Sequence, residues 1–474
     1  MAIFFTMQRR TFLNQIGLIS SLSFTNSVFS EVNNADEETD ILILGAGISG
    51  LYLADYFQEK GLSVTVYEAS NRIGGRLFTL DDLPGKPNCG GTEIGDGYVR
   101  LVALAKKMNI NLVIPKAEAR TPGLLSINGS LIKETEWAVS SQNKLTENEH
   151  KILPSLLEFY LVKNKNPLKT LEDWYAEKFQ NYDVSYAEYL KTIGLSTEAI
   201  RLINANANTN DIHTTSALNI FRAMTFREKG GSKQILRIEG GSQRLPEAIV
   251  SQLKTKPLLN KIVDKIETNA SFVKVRCKDK STIKAKFCIS TIPFPAFKNI
   301  QIKNLNQIQT EAINQLPYTQ ITQFHLGIKS KFWEEDQLPI SMWTDAKIGR
   351  FFGDKGSNGV ENFMCWTNGL EAIELDKLSE KNANETIIKN FEDLRPASKG
   401  KIEVLKTISW GKNPFNGGAY SHFAPNQINK FVKNMALPLN RLHFAGEHTS
   451  LINNGMEGAL ESAERVIDEI MAKI

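Results

Sequence analysis

Three glycines near the start of the chain have the spacing of a site that binds the phosphates of a dinucleotide. The segment "DILILGAGISG" places them directly after an apolar run that predicts a buried strand. In this pattern the first glycine allows a tight turn, the second lets the backbone approach a diphosphate, and the third lets a helix pack closely on the strand. The amides at the N-terminus of that helix then point at the phosphates. The predicted phosphate-binding turn consists of Gly45, Ala46, Gly47, Ile48, Ser49 and Gly50.

An acidic residue at the end of the next predicted strand indicates a ribose beside this turn. A helical pattern ends at Gly61, and Ser63–Tyr67 is typical of a strand that leads to Glu68. A carboxylate in this place accepts hydrogen bonds from ribose hydroxyls, whereas an arginine is typical of a phosphorylated ribose. Because the strand, helix, second strand and acid follow in the required order, a chance glycine-rich turn is disfavoured.

A second glycine pair adds a feature that an NAD-binding domain does not need. The segment "EASNRIGGRLFTL" continues from Glu68 through Ala69 to Gly75 and Arg76. The pair permits another close approach of the backbone, and the arginine supplies a fixed cation for a diphosphate. A surface turn is the competing interpretation of this segment taken alone.

A glycine-rich segment near the C-terminus predicts a further helix N-terminus at the same site. In "RLHFAGEHTSLINNGMEGALESAERVIDEI", a short strand leads to Gly446 and Glu447, and Gly455 opens a helix. A helix that begins at a glycine-rich turn can hold another polar group of a ligand.

Taken together, these motifs resemble the family of flavin-containing monoamine oxidases and L-amino-acid oxidases over most of residues 38–474. The resemblance implies an α/β fold, α+β overall. A Rossmann-like FAD-binding domain built from discontinuous segments would accompany a mixed sheet and helical substrate domain. The implied FAD-binding segments are 38–100, 230–300 and 405–474. The implied substrate domain combines a mainly helical part, 101–229, with a sheet part, 300–404.

The resemblance also assigns FAD contacts to individual residues. The first glycine turn would hold the pyrophosphate, Glu68 the adenosine ribose, and Arg76 a phosphate. Ala419 stands where some family members carry a cysteine linked to the flavin, so non-covalent FAD is expected. The remaining implied FAD contacts are Ala69, Gly75, Val263, Gly446, Glu447, Met456 and Ala459.

Few side chains are implied to take part in the chemistry, because amine oxidation by a flavin mainly requires a dry, oriented pocket. Tyr420 matches a tyrosine of the family's aromatic cage, and Trp410 matches an aromatic residue that supports the flavin. The second cage aromatic falls on Gly455, so that wall is open or is supplied by Phe351, Phe352 or Trp366. Gln323 stands where the family usually has a lysine that holds a water at flavin N5.

Candidates for substrate binding follow from the turn "TEIGDGYVRL". L-amino-acid oxidases clamp the substrate carboxylate with an arginine near this turn, where the chain has Tyr98 and, two residues later, Arg100. Arg100 is equally compatible with a solvated helix start. Arg350, in "KIGRFFGD", is a further candidate for the clamp. Asp96 would favour a cationic substrate tail but is also typical of a plain turn.

The implied activity is the oxidation of a primary amine or L-amino acid by FAD, giving an imine that hydrolyses to a carbonyl compound and ammonia. Molecular oxygen would accept the electrons and yield hydrogen peroxide. Two alternatives remain open: a dehydrogenase or desaturase of the same superfamily with another electron acceptor, and a non-catalytic FAD-binding accessory protein.

The N-terminus resembles a twin-arginine export signal. Arg9 and Arg10 precede a short apolar region in "MQRRTFLNQIGLISSLSFTNSVFS", and small residues follow near Ser30. The signal, residues 1–30, implies the twin-arginine export machinery as a partner and a periplasmic or secreted protein. A membrane-surface N-terminal helix is the alternative interpretation of this segment.

Composition excludes few other functions. The net charge of +4 has no concentrated basic block, so nucleic acid binding is not indicated. No apolar stretch after residue 40 is long enough for a stable membrane span. The cysteines have no metal-binding spacing and are expected to be unpaired structural thiols: Cys89, Cys277, Cys288 and Cys365.

Overall fold

The computed structural model describes residues 37–115, 123–230, 232–356 and 359–474. The predicted export signal lies outside these residues. The described chain mixes helices and sheets, as predicted. Its strands are β1 (Glu37–Leu44), β2 (Val64–Tyr67), β3 (Ile94–Gly95), β4 (Leu112–Val113), β5 (Leu124–Ile127), β6 (Ser130–Lys133), β7 (Ile235–Ile238), β8 (Val263–Thr268), β9 (Val273–Cys277), β10 (Thr282–Ser290), β11 (Gln301–Ile302), β12 (Ile321–Ile328), β13 (Met342–Thr344), β14 (Arg350–Gly356), β15 (Gly359–Asn368), β16 (Ile402–Ser409) and β17 (Leu442–Phe444).

Helices connect these strands and cover the sheets. Several short 3₁₀ segments lie between them. The α-helices are α1 (Ile48–Glu59), α2 (Val99–Lys107), α3 (Leu157–Val162), α4 (Tyr186–Thr192), α5 (Thr197–Ala205), α6 (Ala217–Lys229), α7 (Arg244–Gln252), α8 (Phe294–Phe297), α9 (Gln307–Gln315), α10 (Phe332–Asp336), α11 (Leu370–Asp376), α12 (Glu380–Leu394), α13 (Ile428–Phe431) and α14 (Gly455–Met471).

The first sheet joins strands from the two ends of the chain. Its order is β11-β8-β9-β10-β1-β2, and β17 pairs with β10. Strands β2, β1, β10 and β17 run parallel, whereas β9 is antiparallel to β10. The segment Ile41–Leu44 has no exposed surface, as expected of a parallel strand covered on both faces. Helices α1 and α14 pack beside each other in the apolar cluster on one face of this sheet.

The second sheet is mostly antiparallel and has the order β16-β12-β15-β14-β13-β5-β6. Strand β12 lies between β15 and β16, and all but the last of its residues are buried. The segment 101–229, predicted to be mainly helical, contains helices α2 to α6 and also contributes the hairpin β5–β6 to this sheet. The assignment of whole segments to an FAD-binding and a substrate domain stays a prediction.

Two further features of the described residues bear on the sequence predictions. All four cysteines are buried and free, as predicted. Burial raises the pKa of Cys89 and Cys365 to about 12, which keeps both thiols protonated. Among the helices that the structure describes, none combines the length and apolarity needed to cross a bilayer.

Candidate cofactor and substrate site

One cavity of about 1130 Å³ connects the two glycine-rich ends of the chain with the second sheet. Most of the residues predicted to bind cofactor or substrate line it. These are Gly45, Gly47, Ile48, Ser49, Glu68, Ala69, Gly75, Arg76, Val263, Gln323, Phe352, Trp366, Trp410, Tyr420, Gly446, Glu447, Met456 and Ala459. Predicted site residues outside the lining are Ala46, Gly50, Tyr98 and Arg100.

The first glycine turn is shaped to receive a ligand from the cavity side. Gly45 has a φ of +108°, a value that L side chains rarely adopt. A Cβ at Gly50 would overlap the carbonyl oxygen of Gly45, which explains why Gly50 is required although it lies behind the cavity. A Cβ at Gly47 would meet no atom of the described residues within 4 Å. The backbone is therefore open to the cavity at the position where the motif brings a diphosphate close.

Ser49, at the start of α1, supports the same interpretation. Its Oγ is buried and has no hydrogen-bond partner among the described residues. Buried hydroxyls normally have a partner, and this one lies in the first turn of a helix whose free amides favour an anion. The residues present therefore fit a bound diphosphate.

Glu68 is fixed at the end of β2. Its Oε2 accepts a 2.7 Å hydrogen bond from the amide of Ala46, which is the role of Ala46 in this site. Its Oε1 accepts hydrogen bonds from the amide and hydroxyl of Ser70 at 2.9 and 2.8 Å. The carboxylate is thus oriented by the backbone and still lines the cavity.

Arg72 holds the second glycine turn and was not singled out in the sequence. Its Nη1 donates to the carbonyl of Ile73 at 3.2 Å and its Nη2 to that of Gly75 at 2.6 Å. The guanidinium also lies 4.0 Å from the centroid of the Phe78 ring. The signal was present in "SNRIGGR", where an arginine precedes the glycine pair by two residues.

Arg76 joins the two ends of the chain across the cavity. Its Nη1 donates to the carbonyl of Ala419 at 2.8 Å and to Glu447 Oε2 at 3.2 Å. Glu447 also accepts hydrogen bonds from the amide and hydroxyl of Ser421. The phosphate contact predicted for Arg76 stays a prediction, and the structure adds this role in fixing Glu447.

A clamp of two charged residues holds the loop that leads into α14. Glu461 accepts hydrogen bonds from the amides of Leu451, Ile452 and Asn453 at 2.7 to 2.9 Å. Arg222 donates to carbonyls of the same loop, among them that of Ile452 at 3.2 Å. Met456 and Ala459, which follow this loop on α14, line the cavity. The clamp therefore fixes the wall where the resemblance places the isoalloxazine ring.

We expect Glu461→Gln to lower the free energy of unfolding at pH 7 by about 2–3 kcal/mol, because an amide cannot accept all the charge-assisted bonds of the loop. Burial raises the pKa of Glu461, but the loop hydrogen bonds outweigh it, so the pKa lies below its usual value. The stabilisation is therefore present above the usual carboxyl pKa and is lost as pH falls through the folded value. Thermal unfolding at pH 7 and pH 4 measures both effects.

The matched control is Glu385→Gln, which removes a carboxylate that is 66% exposed and 3.8 Å from Lys381. It should change stability by less than about 0.5 kcal/mol. Equal losses of unfolding free energy in Glu461→Gln and Glu385→Gln would contradict the role of Glu461 in fixing the loop.

Aromatic side chains form the part of the cavity next to the second sheet. Tyr420 and Trp410 line it, and Trp410 Nε1 donates to the carbonyl of Cys89 at 2.8 Å. Phe352 and Trp366 also line it, whereas Phe351 is fully buried in the apolar cluster behind the sheet. Phe351 is therefore not the missing cage wall.

Gly455 leaves open space at the position of the second cage aromatic. It lines the cavity with a φ of +57°, and among the residues that the structure describes a Cβ there would meet no atom within 4 Å. The chamber in front of the cofactor site is therefore wider on this side than a pair of facing aromatics would allow.

Gln323 lies on β12 with 1% of its surface exposed, and its side chain lines the cavity. Its Oε1 is buried and has no hydrogen-bond partner among the described residues. His325, two residues further along the strand, is fully buried but does not line the cavity.

The two residues predicted at the turn do not reach the cavity. Arg100 is engaged with Glu464 at 2.5 Å and with Glu457 at 3.2 Å, on the surface of α2 and α14. Tyr98 packs on Phe226 with ring centroids 5.4 Å apart. A substrate clamp at Arg100 would have to break both ion pairs, so the structure gives that role no support. Arg350 lines the cavity instead.

Asp96 is a turn residue. Its Oδ1 accepts hydrogen bonds from the amides of Lys233 and Gln234 at 2.7 and 3.2 Å. These bonds hold its pKa below the usual value. Since Asp96 is also absent from the cavity lining, binding a cationic substrate tail is not its role.

The titratable groups around the chamber are held in defined charge states. Burial raises the pKa of the Tyr420 phenol far above its usual value, so it remains neutral. Burial, together with the charges of Arg76 and Arg465, lowers the pKa of His448 to about 3. That imidazole is therefore neutral at physiological pH.

Comparison with known proteins agrees with this geometry. The profile of the family described as flavin containing amine oxidoreductase matches residues 48–471. An L-amino-acid oxidase of Siganus canaliculatus is 26% identical over 456 residues, which cover 91% of this chain and 85% of that protein. The flavin-containing amine oxidase B of Homo sapiens is 24% identical over 459 residues, covering 91% and 86%.

The fold is also that of a solved structure, a putrescine oxidase bound to putrescine. The TM-score is 0.74 at 20% sequence identity, covering 92% of this chain and 99% of the other. The match between the family profile and nearly the whole described chain, together with a cavity fitted to a dinucleotide, identifies the chain as a member of the flavin-containing amine oxidoreductase family, with FAD as its non-covalent cofactor.

Proposed function

We propose that this protein is an exported oxidase that oxidises a primary amine or an L-amino acid and passes the electrons to molecular oxygen. Amine oxidation with FAD follows from the family. The single observation that supports the finer proposal is the continuity of the cavity, which runs from the glycine turns to a chamber lined by Tyr420, Trp410 and Trp366. When bound, FAD would accept a hydride from the carbon next to the amine nitrogen.

The residues of the chamber would bind and orient the substrate. Tyr420, Trp366 and Phe352 supply apolar surfaces that exclude water and guide the amine toward the cofactor. Gln323 Oε1 is an acceptor for an N–H of the amine or for a water. Ala419 directly precedes Tyr420, at the position where some family members carry a cysteine linked to the flavin, which supports a cofactor held by non-covalent contacts.

The experiment is an anaerobic screen with a panel of amines and L-amino acids. Each compound is added to the FAD-loaded protein while the absorbance near 450 nm is followed, and air is then admitted while hydrogen peroxide is measured. We expect bleaching by some members of the panel, and peroxide in proportion to the bleached flavin. A panel that leaves the flavin oxidised throughout would contradict the proposal and favour the non-catalytic accessory protein.

A second candidate is a dehydrogenase that uses a quinone or another carrier. It is favoured by Gln323, which brings no positive charge to the place where the resemblance predicts a lysine. Bleaching by an amine, followed by rapid recovery with a soluble quinone and slow recovery in air, would select this candidate.

The proposal of export depends on the N-terminal segment. Arg9 and Arg10 precede its short apolar region. We expect replacement of both arginines by lysine to retain the protein in the cytoplasm with its FAD bound. Fractionation of cells, with N-terminal sequencing of the mature chain, measures this. Equal export of the variant would contradict recognition by the twin-arginine machinery.

A further inference from the structure

Three polar side chains form a row across the cavity wall on neighbouring strands. Gln323 on β12 is paired in register with Trp366 on β15, and Trp366 is paired with Arg350 on β14. Residues directly opposite each other on adjacent strands point to the same face of the sheet. All three side chains accordingly line the cavity.

Each member of this row has a buried polar atom without a partner. Among the described residues, no hydrogen bond is made by Nε of Arg350, Nε1 of Trp366 or Oε1 of Gln323. The large majority of buried side-chain polar atoms in native proteins have a partner. Three such groups side by side on one cavity wall therefore indicate that a ligand supplies the missing partners.

Arg350 also lacks a counter-charge. In the part of the chain that the structure describes, Arg350 forms no ion pair, and its Nη2 makes a long hydrogen bond of 3.3 Å to Asn208 Oδ1. The guanidinium lies 5.7 Å from the ring centroid of Trp366 and 5.9 Å from that of Phe352. Burial lowers the pKa of Arg350, and the negative charge of Glu93 partly opposes this shift. The Arg350 side chain is half-buried with its Nε enclosed, and a desolvated cation without an anion is costly unless a ligand provides one.

Glu93 does not supply that anion. It lines the cavity, but its carboxylate pairs with Arg237 at 3.5 Å and lies beyond ion-pair distance from Arg350. The other arginine near the turn, Arg100, is satisfied by two carboxylates outside the cavity.

Building on the proposed function, we propose that Arg350 and Trp366 form a carboxylate-binding subsite, and that the substrates are therefore α-amino acids rather than simple amines. The planar guanidinium can donate two parallel hydrogen bonds to one carboxylate, and the indole N–H donates a further one. Gln323 Oε1, at the other end of the row, accepts from the amine, directly or through a water. An amine without the carboxylate leaves Arg350 unpaired when the chamber closes to water, and sites built to hydrogen-bond a substrate group reject analogues that lack it.

The first test compares compounds that differ only in the carboxylate. L-Phenylalanine is paired with phenethylamine, and L-leucine with 3-methylbutylamine. The readout is the rate constant of anaerobic flavin bleaching divided by the dissociation constant of the compound, measured by stopped flow. We expect this quantity to be at least about 100-fold larger for the amino acid than for the amine in each pair. Arg350→Met should reduce that preference for the amino acid by a similar factor. Arg350→Lys keeps the positive charge but lacks the planar guanidinium with its two parallel N–H donors, so the preference for the amino acid should fall about 10-fold.

The second test measures binding without turnover. 3-Phenylpropanoate and 3-phenylpropanamide are titrated against the oxidised FAD-loaded protein, with the flavin difference spectrum as the readout. We expect the wild type to bind 3-phenylpropanoate tightly and 3-phenylpropanamide weakly. The affinity for 3-phenylpropanoate should fall at least about 100-fold in Arg350→Met. It should fall about 10-fold in Trp366→Phe, which keeps an aromatic ring but removes the indole N–H. Arg100→Met is the matched control and should leave the preference for the carboxylate as in the wild type.

The outcomes separate this inference from the proposed function. Bleaching by the amines but not by the amino acids would keep the proposed function and overturn the subsite. If nothing in the panel bleaches the flavin, the proposed function fails, and Arg350-dependent binding of 3-phenylpropanoate still decides the subsite. Equal affinity of wild type and Arg350→Met for that carboxylate would overturn it, as would a loss of preference in Arg100→Met.

Discussion

Gly47→Ala should weaken FAD binding at least about 100-fold while leaving the stability of the apoprotein within about 1 kcal/mol of the wild type. Gly47 has φ −74° and ψ 177°, which alanine adopts without strain. In the part of the chain that the structure describes, the added methyl group would meet no atom within 4 Å, so the apoprotein has room for it. That room lies on the cavity side, where the glycine motif brings the diphosphate against the backbone.

The measurement is a titration of apoprotein with FAD, combined with calorimetric unfolding of the apoprotein. Two other glycines of the same strand–helix–strand unit serve as controls. Gly61→Ala adds a methyl group in open space at a φ of +82°, so it should cost about 1 kcal/mol of stability and leave FAD affinity unchanged. Gly50→Ala should instead destabilise the fold itself, because its Cβ would overlap the carbonyl oxygen of Gly45. Equal FAD affinities in Gly47→Ala and Gly61→Ala would contradict a diphosphate over Gly47.

The part of this site that could be predicted from sequence is the part that local chain geometry determines. The turn between β1 and α1 needs glycines at fixed spacing, and the strands that flank it have apolar runs, so Gly45, Gly47 and Glu68 could be placed before the fold was known. The C-terminal glycines and Met456 were placed by the family resemblance, and they line the same cavity.

What the sequence could not show depends on pairing between distant segments. Arg350 and Trp366 become neighbours of Gln323 only through the register of β12, β14 and β15. The ion pair between Arg76 and Glu447 likewise joins residues 371 positions apart. No local pattern distinguishes Arg350, which lines the cavity, from Arg100, which pairs with two carboxylates outside it, because both are single arginines near a turn.

The hairpin β5–β6 is different, because its signal was present. Asn128 and Gly129 both have positive φ values, 48° and 77°, as two-residue hairpin turns require. The flanking strands have only four residues each, and β5 is stabilised by pairing with β13, more than 200 residues later. Strands this short in a mostly helical segment have little periodicity of their own.

Gln323→Lys should accelerate the reaction of the reduced enzyme with oxygen at least about 10-fold. Oxygen reduction develops negative charge, and a preorganised cation in a dry site stabilises that charge. The wild-type wall at this position is neutral, since Gln323 is 1% exposed and offers only an amide. Arg350 lies two strands away, and a bound carboxylate would neutralise its charge. Gln323→Met is the matched control, because it approximates the shape of lysine without the charge.

The pH dependence makes this prediction sharper. A lysine at such a buried position has a lowered pKa, because burial disfavours the charged form. The acceleration in Gln323→Lys should therefore be full at low pH and decline as pH rises through that pKa, whereas the wild type and Gln323→Met should show no such step. The measurement is stopped-flow mixing of chemically reduced enzyme with oxygenated buffer across pH 5–9, following the return of flavin absorbance. Equal rates in all three proteins would mean that charge at residue 323 does not control the choice of acceptor. If the wild-type oxygen reaction is then found to be slow, as a dehydrogenase requires, its cause lies elsewhere in the chamber, and the open wall at Gly455 is the first place to test.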